Sequence, residues 1–347
     1  MKGRPKTSKM KRTILYLCAA ALLSAGCAKT PSVGLNDAAK RYFDSWMSVA
    51  YPDAVREEPG YYVLEDIPGN GMLAGDADNT PYVRVDYVIR SQDGTINDTS
   101  YEQLAQQVGT YDSADYYGPV IWLRGSGNMQ AGLDEALKTM RTGGYRSFVM
   151  PGWLATTSRF DTEAEYLANV SGSVTVYDVK LLELITDVKK WETDSVGRYV
   201  SKTFPGKTVQ DSLKYGFYYF CTGEPSSTRE FPADTTIYIN YVGRLLNGQV
   251  FDTNVKDSAK FYGLYSASAT YSPSTITWHS SEGTYKDIKM GSSTVIDGFS
   301  YALSKMHPHE KGTAVFYSGL GYGSSGSGST IPAYGPLRFD IEIVDKP

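Results

Sequence analysis

Short runs of alternating apolar and polar residues dominate the chain. Tyr82-Val83-Arg84-Val85-Asp86-Tyr87, Ile237-Tyr238-Ile239-Asn240-Tyr241 and Arg338-Phe339-Asp340-Ile341 each send side chains to two faces in turn. A period of two predicts half-buried strands. Apolar residues spaced three and four apart instead mark Asp37–Tyr51 and Trp191–Thr203 as amphipathic helices. Ala131–Met140 and Asp297–Met306 each predict one further short helix. Turn pairs, Asp93-Gly94 and Asn247-Gly248, follow two of the alternating runs, as expected where a strand reverses.

The same elements occur twice in the same order, at a spacing of roughly 155–165 residues. Each copy opens with an amphipathic helix. A glycine with aromatics follows, Gly60-Tyr61-Tyr62 or Gly216-Phe217-Tyr218-Tyr219. Each copy closes on an aromatic–aspartate strand, Tyr177-Asp178 or Phe339-Asp340. Mostly antiparallel strands with one short helix per copy predict an α+β fold: two tandem domains, each a curved antiparallel sheet wrapped on its helix. The expected boundaries are 59–186 and 216–347, with helical segments at 27–58 and 187–215 that are too poor in apolar residues to form cores of their own.

The first 26 residues differ from the rest. Lys2, Arg4, Lys6, Lys9, Lys11 and Arg12 precede an apolar run, Ile14–Leu23, with no acid among them. A basic head, a short apolar core and small residues describe a secretory signal, residues 1–26, too short to span a bilayer as a mature helix. Its end, Leu23-Ser24-Ala25-Gly26-Cys27, resembles a bacterial lipobox, with Ser24 where a branched apolar residue is usual. Cys27 is therefore expected to carry lipid and to anchor the chain to a membrane of the bacterial cell envelope. Removing the signal leaves 28 basic against 38 acidic groups, a net charge of −10. That balance opposes nucleic acid as a partner, because phosphate neutralisation needs clustered Lys and Arg. Of three cysteines, Cys18 leaves with the signal and Cys27 is acylated, so Cys221 remains, with no intramolecular disulfide to form and a strand-core thiol expected. Three histidines are too few for a histidine-built metal centre, and no metal or cofactor is expected.

Tyr241-Val242-Gly243…Gly248-Gln249-Val250-Phe251-Asp252, Val295-Ile296-Asp297-Gly298-Phe299, Leu320-Gly321-Tyr322-Gly323, Ile331-Pro332 and Phe339-Asp340 lie collinear over residues 234–346. In that order and spacing they resemble an FKBP-type peptidyl-prolyl cis-trans isomerase domain, with Phe299 where tryptophan is usual and Thr330 where an apolar residue is common. The resemblance implies catalytic roles for Tyr241, Asp252, Tyr322 and Phe339. It implies that Phe251, Val295, Ile296, Phe299 and Ile331 line the substrate pocket. It further implies rotation of the Xaa-Pro bond without cofactor, on proline-containing exported polypeptides. That bond resists rotation by about 18–20 kcal/mol through amide resonance. A dry aromatic hollow disfavours the planar dipolar amide relative to the twisted one. Tyr322 would donate to a substrate carbonyl, and Asp252 would orient Tyr241 or meet the carbonyl carbon. A non-catalytic binding lipoprotein for peptides or glycans is the alternative.

The first copy keeps Tyr87 and Asp98 but places Asn97 at the position of Phe251, Met129-Gln130 at Val295-Ile296 and Leu133 at Phe299. It is expected to be a folded but degenerate domain that has lost the proline pocket. Between Asp252 and Val295 lie about 20–25 residues more than the family pattern needs, an insertion near 254–287 rich in Tyr, Ser and Thr. An extra hairpin covering its own sheet, a flap that grips protein substrate or a stacking platform for glycans fits that composition.

Overall fold

The computed structural model describes residues 35–206, 216–232, 234–278 and 288–347. The expected signal segment, Cys27, residues 207–215 and residues 279–287 of the insertion lie outside the described residues.

Two antiparallel sheets make an α+β fold. The first contains β1 (Val55–Glu57), β2 (Tyr61–Ile67), β3 (Tyr82–Ser91), β4 (Ile96–Thr99), β5 (Val120–Leu123), β6 (Tyr145–Met150) and β7 (Thr175–Ile185). Its order is β1-β2-β6-β7-β3-β4, with β5 also on β3. The second contains β8 (Phe217–Gly223), β9 (Thr235–Leu245), β10 (Val250–Thr253), β11 (Ser274–Trp278), β12 (Ile288–Met290), β13 (Ser293–Thr294), β14 (Lys311–Phe316) and β15 (Leu337–Val344). Its order is β13-β12-β11-β9-β15-β14-β8, with β10 also on β9. Strand for strand, β2-β6-β7-β3-β5 repeats as β8-β14-β15-β9-β11. In both sheets the long strand, β3 or β9, is flanked on one side by two short partners at different heights.

The alternation read from the sequence is the inside–outside pattern. Along β15 Leu337, Phe339, Ile341 and Ile343 are buried, and along β9 Ile237, Ile239, Tyr241 and Leu245 are. The expected short helices pack on the sheets, α3 (Ala131–Lys138) on the first and α7 (Asp297–Leu303) on the second. Residues 35–57 are not separate from the first domain. In α1 (Leu35–Ala50), Phe43 and Met47, one helical turn apart, are buried in its core, each burial contributing about 1.5–3 kcal/mol. Residues 188–203 likewise form α5 (Val188–Thr203), capped by the Asp187 carboxylate accepting from the Lys190 amide at 2.9 Å. Val196 and Val200 of α5 pack on Phe220 and Val315, on the second sheet's outer face.

Three short helices exceed the expected one per copy: α2 (Glu102–Val108), α4 (Glu163–Asn169) and α6 (Lys256–Phe261). Two turns or fewer give too little periodicity to register in an apolar pattern. Local end signals mark two of them, the capping box of Thr162 and Glu165 on α4 and the left-handed Gly109 that ends α2. Cys221 is half-buried on β8 rather than a core thiol.

Candidate active site

The candidate site of the second domain forms where β10 meets β9. The pairing slips between Val250 and Asp252, so Phe251 is the extra residue of a β-bulge. A bulge re-aims the side chain it carries. Here it lays Phe251 over Gly243, which lies opposite Phe339 in the ladder. A Cβ on Gly243 would fall 2.7 Å from the Phe251 ring and 2.9 Å from that of Phe339. The glycine is what lets the two rings meet, edge to face with centroids 5.6 Å apart.

From Phe339 the aromatic wall continues. Phe299 of α7 lies 4.9 Å away at 76°, and Tyr241 stands 5.8 Å from Phe299 at 80°. Edge-to-face rings at these separations are mutually attractive. Burial grades from floor to rim. Phe299, Ile331 and Phe339 are 2, 3 and 5 % exposed. Phe251, Val295 and Ile296 are half-buried, while Asp252 and Tyr322 are exposed. The Tyr241 hydroxyl donates to Asp252 Oδ2 at 2.8 Å. Burial and then the Asp252 charge push the Tyr241 phenol above its ordinary range, and the same two causes act in the same order on Tyr322. Both phenols therefore remain donors through neutral pH.

Tyr322 and Ile331 belong to one loop, residues 321–335, whose glycine and serine content reads as a flexible linker. Its structure is cross-braced instead. The Ser327 amide donates to Ile331 O at 2.8 Å and the Tyr334 amide to Gly323 O at 2.9 Å. Gly326, with φ +62°, sits where a Cβ would fall 2.2 Å from Ile331 O. Of the nine residues singled out from the sequence, Tyr241, Phe251, Phe299 and Phe339 are linked by ring contacts and Asp252 by its bond to Tyr241, while Val295, Ile296 and Ile331 belong to the same apolar core. A cavity of about 710 Å³ adjoins them, bounded by Tyr241, Phe251 and Asp252 and by the insertion, but not by Phe299 or Phe339.

In the first domain the corresponding geometry is altered rather than erased. The Tyr87 hydroxyl still donates to Asp98 Oδ2, at 3.0 Å, and the bulge recurs, with Asn97 as its extra residue. Ile89 occupies the ladder position of Gly243, opposite Tyr177. Asn97 is exposed, its amide donating to Ser91 Oγ at 2.8 Å, so it does not enter an apolar site as the sequence suggested. The pocket is not lost either. A cavity of about 560 Å³ remains, walled by Ile89, Trp122, Met129, Leu133 and Tyr177. Its chemistry has changed: the Tyr177 hydroxyl, pushed up to about 12 by burial, donates to Gln130 Oε1 at 2.9 Å. Ala333 and Tyr334 of the second domain complete its wall.

The first domain also touches the rim of the second site. Ser113 Oγ donates to Gly263 O at 3.0 Å, Gln249 Nε2 to Asp115 O at 2.7 Å, and the Tyr116 amide to Ser329 O at 2.8 Å. On α5 the buried Glu192 carboxylate accepts from the Ser318 amide at 3.2 Å, just before the Tyr322 loop, and burial raises it to about 7. Apart from Gln249 these residues stand in no motif, since main-chain partners leave no trace in residue type. His307 and His309, adjacent to Pro308, each meet a separate carboxylate, Glu310 at 3.0 Å and Asp345 at 2.9 Å.

Residues 227–344 match the model of a family described as FKBP-type peptidyl-prolyl cis-trans isomerase. FK506-binding protein 2 of Dictyostelium discoideum is 27% identical over 139 residues, 40% of this chain and 84% of that protein. A probable FKBP-type peptidyl-prolyl cis-trans isomerase of Haemophilus influenzae is 25% identical over 163 residues, 47% of this chain and 54% of that protein. Peptidyl-prolyl cis-trans isomerase FKBP53 of Arabidopsis thaliana is 25% identical over 159 residues, 45% of this chain and 26% of that protein. The chain thus spans about a quarter of one relative and about half of another. With the bulge, the ring wall and the Tyr–Asp pair in place, the chain carries in its second half a domain of the FKBP-type peptidyl-prolyl cis-trans isomerase family.

Proposed function

We propose that this chain is a peptidyl-prolyl cis-trans isomerase of the bacterial cell envelope, held to a membrane through lipid on Cys27 and acting on exported polypeptides. The observation that carries the activity is the graded aromatic wall: a buried floor of Phe299 and Phe339, a half-buried flank of Phe251, and the polar groups of Asp252 and Tyr322 at the rim. A proline ring seated on that floor puts its amide among side chains that cannot solvate the planar dipole, so the twisted amide is relatively favoured. Tyr322 is placed to donate to a carbonyl of the bound peptide. Asp252 holds Tyr241 by the 2.8 Å hydrogen bond. Support for the envelope location is confined to the signal-like segment and the lipobox-like Leu23–Cys27.

A protease-free isomerisation assay on an Xaa-Pro tetrapeptide tests the activity with wild type and Phe339→Ala, and with Phe339→Leu as the variant that better preserves the core. Turnover that falls by about a hundredfold in both variants is expected. Absence of turnover in the wild type would leave a peptide-binding lipoprotein. Fractionation of cells carrying Cys27→Ser tests the anchor, which predicts that the chain leaves the membrane fraction.

A further inference from the structure

We infer that the insertion after Asp252 builds a second substrate subsite, a groove that holds the extended polypeptide as it leaves the proline hollow. The inference rests on the isomerase reading and adds the substrate class, an unfolded chain several residues long rather than an isolated Xaa-Pro unit. The groove is the cavity of about 710 Å³ that shares Tyr241, Phe251 and Asp252 with the candidate active site. That volume lies within the range of about 300–1,000 Å³ usual for ligand sites. The three shared residues fix the occupant, because a chain whose proline is held against Phe251 and which passes Asp252 runs along this groove.

Beyond Asp252 the walls come from the insertion, notably Leu264, Ser266, Tyr271, Ser272 and Thr275. Hydroxyls that both donate and accept suit the main chain of an extended peptide, which offers an amide and a carbonyl at every residue. The groove is held in shape by Asn254, 8 % exposed. Its amide nitrogen donates to Ile239 O, Ser272 O and Ser274 Oγ at 2.8, 3.1 and 3.0 Å, while its oxygen accepts from the Tyr241 amide at 2.9 Å. One buried side chain therefore ties the insertion to the strand that carries Tyr241. Tyr271 stacks on Tyr265 with centroids 5.4 Å apart, and its hydroxyl accepts from the Ser266 amide at 2.9 Å. On this same insertion Phe261 is 81 % and Tyr265 43 % exposed. The extra hairpin and the substrate grip weighed from composition are thus one structure: β11 and β12 extend the sheet, and the segment before them forms the groove.

The test compares two substrates on the full chain, an Xaa-Pro tetrapeptide and a long unfolded polypeptide carrying one proline. Ser272→Trp and Thr275→Trp place bulk in the groove from exposed positions, with thermal melting as the control for folding. The ratio of kcat/KM for the long substrate to that for the tetrapeptide is expected to fall about tenfold. An unchanged ratio in both variants would overturn the subsite, and so would loss of the two activities in step, which would mean intrusion on the hollow. Fluorescence anisotropy of the labelled polypeptide gives a readout without turnover: a Kd raised about tenfold supports the groove, and an unchanged Kd overturns it. A wild type that turns over neither substrate would sink the isomerase reading alone, since the anisotropy arm still decides the groove.

Discussion

At one bulge the two copies differ by a coupled pair of residues. The second has Gly243 with Phe251 above it; the first has Ile89 with Asn97 turned out to solvent. The two choices belong together, because the Phe251 ring occupies the space a side chain at position 243 would need. Around this exchange the rest of each domain follows. The second domain packs Phe299 and Phe339 edge to face between helix and sheet. The first packs Leu133 and Leu137 of its helix in an apolar core and adds a buried ionic network. Arg124 Nε and Arg159 Nη2 meet the two oxygens of Asp134, at 2.8 and 2.9 Å, and Arg159 also bonds Met129 O at 3.1 Å. Those bonds tie the loop after β6 to α3, whereas the matching loop of the second domain presents Tyr322 at the rim. A single topology thus supports an aromatic hollow in one copy and an ion-braced, amide-containing cavity in the other.

The largest expected effect lies in the first domain. Asp134→Ala leaves Arg124, 3 % exposed, without its buried counter-ion, and is expected to cost about 3–5 kcal/mol. Urea denaturation measures it; a loss under 1 kcal/mol would mean that the ionic network does not brace the first domain. Giving the second domain the first's residue sharpens the comparison directly. Gly243→Ile is expected to displace Phe251 and reduce kcat/KM on the tetrapeptide about a hundredfold. Full activity in that variant would break the claim that the glycine and the aromatic are coupled.

A smaller effect comes from α5, which packs against the second sheet at the start of the loop that carries Tyr322. Glu192 is raised to about 7, by burial above all, so it is protonated in the folded chain at acid pH. A group whose folded pKa is raised contributes stability fully below the unfolded value, near 4.5, and loses it as pH climbs through about 7. Stability is therefore expected to decline by on the order of 2 kcal/mol between pH 4.5 and 7.5, and Glu192→Gln should flatten that decline. Calorimetric melting of both proteins across this range decides the matter, with identical pH profiles counting against the assignment.

Much of this was legible in the residues. Alternation gave the strands, and the duplicated order of glycine turns and aromatic–aspartate pairs gave two domains of one topology. Tyr241, Phe251, Asp252, Phe299, Tyr322, Ile331 and Phe339 stand at intervals distinctive enough to be named together, because strand, bulge, helix and loop succeed one another at fixed lengths in this topology. Less legible were the short helices, whose periodicity is too brief, and the cavity of the first domain, whose walls include Trp122 and, from the second domain, Tyr334.

The sequence by itself determined the repeat, the strand pattern and which residue types are available for chemistry, since these depend on local spacing and side-chain identity. Only the tertiary structure decided where Asn97 points, how Asn254 fastens the insertion beside Asp252, that the Ser113–Tyr116 segment touches the rim of the other domain, and that Glu192 is deprived of water. Those outcomes arise from main-chain hydrogen bonds and burial between segments distant in the chain, and neither leaves a signature in the order of amino acids.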